Sequence, residues 1–218
     1  MIAPVLHVVT DDSVLLRADF HDQAAAVLRA GGPEVALHLR GPSVEGGFLL
    51  GVGQELLLEA RVVGARIVVN DRVDVAGCLG ADGVQLRQGS LPLHVARRLL
   101  GSAYFGVSVH SAEEARADAA ADWHLVGSIF QTPSHPEGSP GGLELLDRVA
   151  EAAPGVPSVA IGGVTPERVA GLRHHGVAGI AVIRGVWDQP SPPDAVGRYL
   201  RAWQEASNGG DTGMETHG

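Results

Sequence analysis

Eight short apolar segments recur along the chain of 218 residues, and helix-like segments separate them. The apolar segments are residues 5–10, 35–40, 66–70, 83–86, 103–109, 123–127, 157–163 and 179–183. Alternation of this kind is typical of parallel strands joined by helical crossovers. Several of these segments are apolar at nearly every position, as strands covered on both faces tend to be. The pattern therefore predicts a (β/α)₈ TIM barrel, and an open doubly wound sheet is the alternative.

The barrel is predicted to be a single domain over residues 1–206. Helix starts support this assignment, because Ser111 followed by Glu114 is a capping-box pattern. Thr165-Pro166-Glu167 likewise combines a cap residue, a first-turn proline and an early acid. Residues 207–218 are small and polar, so they are predicted to form a disordered C-terminal tail.

Composition excludes several classes of function. The net charge is −9 and no dense cluster of Lys and Arg occurs, which argues against a nucleic-acid partner. A lone cysteine, Cys78, cannot form an internal disulfide and fits a reducing compartment. We expect no signal peptide and no membrane span, since neither a basic segment before an apolar core nor about 18 uninterrupted apolar residues is present. These features predict a cytoplasmic protein.

Polar residues gather at the predicted carboxyl ends of the strands, where barrels of this type carry their functional groups. Because side chains alternate along a strand, His38 and Arg40 share one face, and Gln85 and Arg87 share another. Ser108 pairs with His110 in the same way. If these faces point into the barrel mouth, the two arginines converge there. Converging positive charge on an acidic protein predicts an anionic ligand.

Two glycine turns point to a phosphate group. Gly162-Gly163 ends the seventh apolar segment just before a helix, and Ile183-Arg184-Gly185 follows the eighth. Glycines let a ligand approach the backbone, and free amides at a helix start attract anions. Loops after strands seven and eight are the habitual phosphate site of TIM barrels. The long loop 128–142 is predicted to be a lid or binding loop, with Thr132, Ser134 and His135 as its candidate polar groups.

The segments VNDRVDVAGCLGADGVQL, GVSVHSAEEA, GSIFQTPS, GGLELL, VAIGGVTPERV and GIAVI resemble the thiamine phosphate synthase/TenI family. The resemblance runs from about Leu6 to about Arg184. It implies a (β/α)₈ barrel that acts on the thiazole phosphate branch of thiamine biosynthesis. Two activities occur in the family. The synthase joins hydroxymethylpyrimidine diphosphate to thiazole phosphate with Mg²⁺, and the TenI-like tautomerase aromatises a carboxythiazole phosphate by proton transfer.

The chain departs from the synthase pattern at several positions. The usual Gln-x-Arg-x-Lys of strand two reads His38-Leu39-Arg40-Gly41-Pro42 here. Asn70-Asp71 is intact, but Ser90 stands in the turn where a second acid normally follows strand four, and His135 replaces the usual lysine after strand six. Mg²⁺ is usually held by one or two carboxylates and phosphate oxygens. The changes therefore predict a weakened diphosphate site that keeps Asp71.

These departures favour the tautomerase branch, which needs a base and an anion clamp and for which no cofactor is expected. The tautomerase pattern has a catalytic His where this chain has Ser128, so His38 or His135 is the predicted base. The candidate catalytic residues are thus His38, His135 and Ser128. The candidate substrate- and phosphate-binding residues are Arg40, Asn70, Arg87, Ser108, Thr132, Ser134, Gly142, Gly162, Gly163, Ile183 and Arg184.

Two other functions stay open. One is a thiamine phosphate synthase in which Asp71 holds Mg²⁺, and the other is a non-catalytic protein that binds or senses a phosphate ligand. The expected partner is a small-molecule thiazole phosphate, and the resemblance suggests a homodimer. A different phosphorylated substrate on the same scaffold is a further alternative, because a fold does not fix a function.

Overall fold

The computed structural model describes residues 4–101, 103–132 and 140–208, and its centre is a closed barrel of eight parallel strands. The strands are β1 (Leu6–Val9), β2 (Val35–Leu39), β3 (Arg66–Asn70), β4 (Gly83–Leu86), β5 (Tyr104–Val109), β6 (Trp123–Val126), β7 (Ser158–Ile161) and β8 (Gly179–Val182). Each strand pairs with the next, and β8 pairs back with β1 through His7 and Ala181. This closure confirms the predicted TIM barrel and excludes the open sheet.

The helices surround the barrel. They are α1 (Asp12–Leu15), α2 (Phe20–Gly31), α3 (Gly46–Val63), α4 (Val73–Leu79), α5 (Leu93–Leu99), α6 (Ala112–Ala117), α7 (Glu144–Ala152), α8 (Val169–His174), α9 (Arg184–Trp187) and α10 (Pro192–Asn208), with 3₁₀ turns at Gly32–Glu34 and Pro166–Arg168. Ser111 caps α6 by accepting a hydrogen bond from the Glu114 amide at 3.2 Å, as its sequence pattern predicts. None of the helices in the described ranges is both long enough and apolar enough to cross a membrane.

The C-terminal helix extends slightly past the predicted domain boundary. Helix α10 includes Ser207 and Asn208, and the Ser207 hydroxyl donates to the Trp203 carbonyl at 2.8 Å. Residues 209–218 of the predicted tail lie outside the described residues. The boundary at residue 206 therefore stays a proposal.

The main hydrophobic core fills the layer between the strands and the helices. Strand residues such as Leu37, Ile67 and Phe105 are fully buried there against helix residues such as Leu28 and Leu56. Each strand thus hides one face under the helices and the other inside the barrel, which is why the strands read as nearly continuous apolar runs.

The inside of the barrel is small and partly polar. Its apolar cluster consists of Val9, Leu125, Val159 and Ala181. The buried polar residues beside it are His7 on β1, His38 on β2 and Gln85 on β4. The indole of Trp123 packs against Gly106, where any β-carbon would collide with it. At the amino-terminal end of the strands a cavity of about 320 Å³ opens, lined by His7, Val68, Tyr104 and Trp123 among others.

Candidate functional site at the barrel mouth

The ends of β1 and β2 hold Arg40 at the mouth. The buried Thr10 hydroxyl donates to the Arg40 carbonyl at 2.9 Å and accepts from the Arg40 amide at 2.8 Å. Asp11 lies beside it and caps α1 by accepting from the Val14 amide at 2.9 Å. Burial opposes ionisation of Asp11, but hydrogen bonds from Ser13 and Val14, with the charge of Arg40, keep its pKa below the usual value. The backbone of Arg40 is therefore fixed at the mouth, and the residue is half-buried there.

Asp71 and Arg87 form an ion pair between the ends of β3 and β4. The Asp71 carboxylate accepts from the Arg87 amide at 3.1 Å and lies 3.1 Å from the Arg87 Nε. Asp71 has a φ of 60°, which turns its side chain across the top of β4. The Asp71 side chain is 28% exposed and that of Arg87 69% exposed. An ion pair this accessible contributes little to stability, so Arg87 is free to leave when a ligand arrives.

His38 lies below the mouth, inside the barrel. It is fully buried, and both of its ring nitrogens have partners: Nε2 is 2.8 Å from His7 Nδ1, and Nδ1 is 3.2 Å from Asn70 Oδ1. Burial, and then the neighbouring His7, hold the pKa of His38 well below 6.5, while the hydrogen bond with Asn70 opposes the shift. Burial also lowers the pKa of His7 to about 4, with the Pro4 carbonyl opposing. Both rings are therefore neutral at pH 7.

A second polar chain positions Ser108. Trp123 Nε1 donates to Gln85 Oε1 at 2.8 Å, and Gln85 Nε2 donates to the Ser108 hydroxyl at 3.1 Å. Because an indole can only donate, it fixes which end of the Gln85 amide faces Ser108. The Ser108 hydroxyl thus receives a hydrogen bond from below and keeps its own proton for a partner at the mouth. His110, which the alternation placed on the same face as Ser108, lies outside, with its Nδ1 against the Gly127 carbonyl.

The end of β7 packs tightly on the segment after β6. Gly162 and Gly163 have φ values of 100° and 64°, a conformation that favours glycine. A β-carbon on Gly162 would lie 2.6 Å from the Ser128 hydroxyl oxygen, and one on Gly163 would lie 2.8 Å from the Gln131 carbonyl oxygen. Ser128 therefore packs directly against the glycine turn. Thr132 and Gly142 flank the same segment, and the Gly142 amide donates to the Ile129 carbonyl at 3.2 Å.

Tyr199 of α10 joins the two glycine turns. Its hydroxyl donates to the Val164 carbonyl at 2.9 Å, just after the first turn. A β-carbon on Gly185 would collide with the same hydroxyl, so Tyr199 packs directly against the second turn. Gly163 and Gly185 line one surface cavity together with Tyr199. Ile183 and the exposed Arg184 precede Gly185, and Arg184 begins α9. The turns that the sequence predicts as a phosphate site are therefore neighbours.

Ser134 and His135 lie outside the described residues, so their predicted roles have no structural counterpart here. The sequence reasoning also missed three residues that the structure brings to the site. His7 had one signal, since it is a polar residue in an otherwise apolar strand. Trp123 and Tyr199 had none, because each acts across more than thirty residues of chain.

The donor set at the mouth fits Mg²⁺ only with help from a ligand. Over the described ranges, no group of three or more His, Cys, Asp or Glu side chains is arranged to hold a metal ion. Asp71 supplies one carboxylate, and Mg²⁺ commonly combines one or two carboxylates with waters and phosphate oxygens of the substrate. Asp71 can therefore hold Mg²⁺ when a diphosphate provides the remaining oxygens.

Fold and site together define a (β/α)₈ barrel that carries its polar groups at the carboxyl ends of the strands, the arrangement of TIM-barrel enzymes. The chain belongs to the family described as thiamine monophosphate synthase, whose model matches residues 6–186.

Similar proteins cover nearly the whole chain. A thiamine-phosphate synthase of Roseiflexus castenholzii is 37% identical over 195 residues, which are 88% of this chain and 84% of that protein. A thiamine-phosphate synthase of Methanoregula boonei is 41% identical over 189 residues, 85% of this chain and 86% of that one. The solved structure of a thiamine phosphate pyrophosphorylase from Pyrococcus furiosus has a TM-score of 0.80 and 30% identity, and covers 93% of this chain and 96% of that one.

The prediction of a thiazole tautomerase is wrong. Two of the relatives described above are named as thiamine-phosphate synthases and the third as a thiamine phosphate pyrophosphorylase, and none of the three is named as a tautomerase. The physical reason lies partly in His38, which was predicted as the base. Its ring is sealed inside the barrel and bonded at both nitrogens, so it cannot exchange a proton with a ligand at the mouth. His135 and Ser128 were assigned to the same reaction; their involvement in the site is not tested by these findings and stays a prediction.

Proposed function

We propose that this protein is a thiamine phosphate synthase, which joins hydroxymethylpyrimidine diphosphate to thiazole phosphate and releases pyrophosphate. The observation that carries the proposal is the Asn70-Asp71 pair at the end of β3. The chain matches two thiamine-phosphate synthases over at least 84% of their length. Asp71 supplies a carboxylate at this strand end. Arg40 and Arg87 bring positive charge to the ends of the neighbouring strands, and Ser108 brings a hydroxyl group.

The thiazole phosphate would bind at the two glycine turns. Gly162-Gly163 and Ile183-Arg184-Gly185 are adjacent, and the second turn leads directly into α9. Backbone amides in turns without side chains suit a phosphate dianion, and Arg184 adds a positive charge beside them. Thr132 and Gly142 lie next to these turns and are proposed to complete the pocket, together with Ser134.

The pyrimidine diphosphate would bind on the opposite side, at the ends of β2 to β5. Arg40 and Arg87 are proposed to face the diphosphate, with Asn70 and Ser108 donating hydrogen bonds to it. Asp71 would hold Mg²⁺, and the ion would neutralise the charge that grows on the departing pyrophosphate. When the diphosphate arrives, Arg87 can exchange its carboxylate partner for phosphate oxygens, because its side chain is largely exposed.

The reaction explains why the mouth needs no catalytic base. A thiazole nitrogen attacks with its lone pair, so a carbon–nitrogen bond forms while the carbon–oxygen bond to the diphosphate breaks. No proton leaves the attacking nitrogen, and the ring becomes a cation. Catalysis then rests on positioning and on stabilisation of the leaving group. A homodimer and a cytoplasmic location remain predictions of the resemblance and composition.

The proposal is tested by supplying the purified protein with both substrates and Mg²⁺. We expect thiamine phosphate and pyrophosphate in equal amounts, and neither product when the thiazole phosphate is omitted. Chelation of Mg²⁺ should abolish both. Binding of both substrates, measured by calorimetry, without any product would refute the synthase and favour the non-catalytic phosphate binder.

A further inference from the structure

Phe130 and Arg168 hold the carbonyl groups of the first glycine turn. The Phe130 amide donates to the Gly162 carbonyl at 3.1 Å. Arg168, the last residue of the 3₁₀ turn that follows, donates from Nη1 to the Gly163 carbonyl at 2.6 Å. The Arg168 guanidinium also lies over the Phe130 ring, with its Cζ 4.3 Å from the ring centroid. The two residues therefore form one unit that contacts two consecutive peptide groups of the turn.

These hydrogen bonds fix the direction of the amides that follow each carbonyl. A trans peptide group is planar, so its N–H points opposite to its C=O, and the peptide groups of this turn are trans. The amides of Gly163 and Val164 are therefore directed away from the donors on Phe130 and Arg168. Neither of these two amides donates a hydrogen bond to any other described residue. They are available to an anion.

Glycine makes such a restraint necessary. Gly162 and Gly163 have φ values of 100° and 64°, and glycine adopts positive and negative φ about equally readily. Without a restraint, the peptide group between Gly163 and Val164 could rotate and present its carbonyl oxygen in place of its amide. A carbonyl oxygen repels a phosphate, whereas a row of backbone N–H groups attracts one. The hydrogen bond from Arg168 opposes this rotation, because the rotation would break it.

We propose that Arg168 and Phe130 are positioning residues that hold the Gly162-Gly163 turn with its amides directed to the thiazole phosphate. This assignment rests on the proposed function for the identity of the ligand. Arg168 holds one peptide group directly. Phe130 holds the preceding one through its amide, and its ring supports the guanidinium by a cation–π contact.

Arg198 is the matched control for the charge of Arg168. Both arginines are exposed and line the same surface cavity beside Gly163 and Gly185. Arg198 donates to the Gln189 side chain at 3.2 Å, outside the turn. Substitution of either arginine removes one positive charge from this cavity, but only substitution of Arg168 releases the Gly163 carbonyl.

The first experiment measures the dissociation constants of thiazole phosphate and of inorganic phosphate by calorimetry, without Mg²⁺ or the second substrate. Arg168→Met should weaken the binding of both ligands about 3- to 10-fold, the effect of one hydrogen bond. Arg198→Met should change either constant by less than about 2-fold, as expected for an exposed charge. Equal losses in the two variants would overturn the inference, since charge alone would then explain them.

The second experiment asks whether the Phe130 ring acts through Arg168. Phe130→Leu keeps the amide that holds Gly162 but removes the ring under the guanidinium, so phosphate binding should weaken about 2- to 5-fold. The double variant with Arg168→Met should bind no worse than Arg168→Met alone, because the partner of the ring is already gone. Multiplicative losses would show that the ring does not support Arg168 and would overturn its proposed role.

The third experiment observes the turn itself. In ¹H–¹⁵N spectra of the unmodified protein and of Arg198→Met, added inorganic phosphate should shift the amide signals of Gly163 and Val164. In Arg168→Met these signals should differ from those of the unmodified protein before any phosphate is added, because the peptide group is no longer held. Amide signals that do not respond to phosphate in the unmodified protein would overturn the inference.

The inference and the synthase reaction can fail separately. If Arg168→Met weakens phosphate binding, Arg198→Met does not, and no thiamine phosphate is formed, then the positioning role stands and the synthase fails. If thiamine phosphate is formed and Arg168→Met binds thiazole phosphate as tightly as the unmodified protein, the synthase stands and the inference fails.

Discussion

The two sides of the barrel mouth are built from different parts of the chain. The side at β7 and β8 is made of backbone: two glycine turns, packed on Ser128 and joined by Tyr199. The side at β2 to β5 is made of side chains: Arg40, Asp71, Arg87 and Ser108, held in place by Thr10 and by the buried polar side chains beneath them. A site formed by backbone groups depends little on which side chains surround it, but it does not tolerate a β-carbon at its glycines. A site formed by side chains changes its chemistry with each substitution.

The largest expected effect is on the side-chain half. Asp71→Asn removes the carboxylate proposed to hold Mg²⁺, and we expect kcat/KM for thiamine phosphate formation to fall about 100- to 1,000-fold, the usual loss for a lost electrostatic partner of a leaving group. Asp74→Asn is the control, since Asp74 forms a comparable but exposed pair with Arg72 outside the mouth. It should change kcat/KM by less than about 2-fold. Equal losses in both variants would contradict the role of Asp71.

The next effect concerns the interior beneath that half. The unfolded chain binds a proton at His7 below about pH 6.5, whereas the folded protein does so only near its pKa of about 4. The unfolded state therefore binds more protons in this window, so the contribution of His7 to stability falls with falling pH and levels off below about pH 4. His38 acts in the same direction. The loss from His7 should be about 3 kcal/mol, measured by urea unfolding at several pH values.

His7→Phe provides the control for this pH dependence. The charged groups that line the cavity beside His7 are Arg66, Asp82 and Asp122, and each belongs to an ion pair that is present in all variants. The variant should therefore unfold with a flatter dependence on pH between 4 and 6.5. A slope as steep as that of the unmodified protein would assign the effect to other groups.

On the backbone half, one added methyl group should be enough to lower both stability and substrate affinity. Gly162→Ala puts a β-carbon 2.6 Å from the Ser128 hydroxyl oxygen at a φ of 100°, so we expect a loss of about 2 kcal/mol in unfolding free energy and a higher KM for thiazole phosphate. Gly51→Ala is the matched control in the exposed part of α3, where nothing lies near the added carbon. It should stabilise the protein by about 0.5–1 kcal/mol. A neutral Gly162→Ala would show that this turn is not tightly packed.

The smallest effect should come from the residue that joins the two turns. Tyr199→Phe removes the hydroxyl that donates to the buried Val164 carbonyl, at an expected cost of about 1 kcal/mol in unfolding free energy. We also expect a several-fold rise in KM for thiazole phosphate and little change in kcat. Tyr104→Phe alters an exposed tyrosine at the opposite end of the barrel and should leave both constants unchanged. A change in kcat alone would contradict the proposed role of Tyr199.

The same contrast explains what could be predicted from sequence. All eight strands lie within two residues of their predicted bounds, because strands covered on both faces give uninterrupted apolar runs. The turn at Gly162 and Gly163 is likewise predictable, since a positive φ favours glycine and glycine is visible in a sequence, while its role in binding phosphate stays a proposal. The side-chain half misled us. His38, Pro42 and Ser90 depart from the family pattern and so predict a change of reaction, which the similarity to thiamine-phosphate synthases contradicts.

What the sequence could not show was where His38 points its ring nitrogens. Alternation correctly places it on an inward face, but the same pattern fits a base at the mouth and a sealed ring in the interior. The contact that decides between them is with His7, which is 31 residues away and has no spacing rule. Tyr199 presents the same difficulty, because its partner Val164 is 35 residues earlier in the chain.

The hydroxyl of Tyr199 also sets an order of events during synthesis. Helix α10 is the last of the described elements to be synthesised, and it packs against α2 and α8, so it joins an early helix of the barrel to a late one. A nascent polypeptide that has already made all eight strands still lacks Tyr199, which contacts both glycine turns. If the two turns bind a phosphate ester as proposed, that binding requires helix α10 to have docked, and a barrel lacking α10 is expected not to retain the ligand.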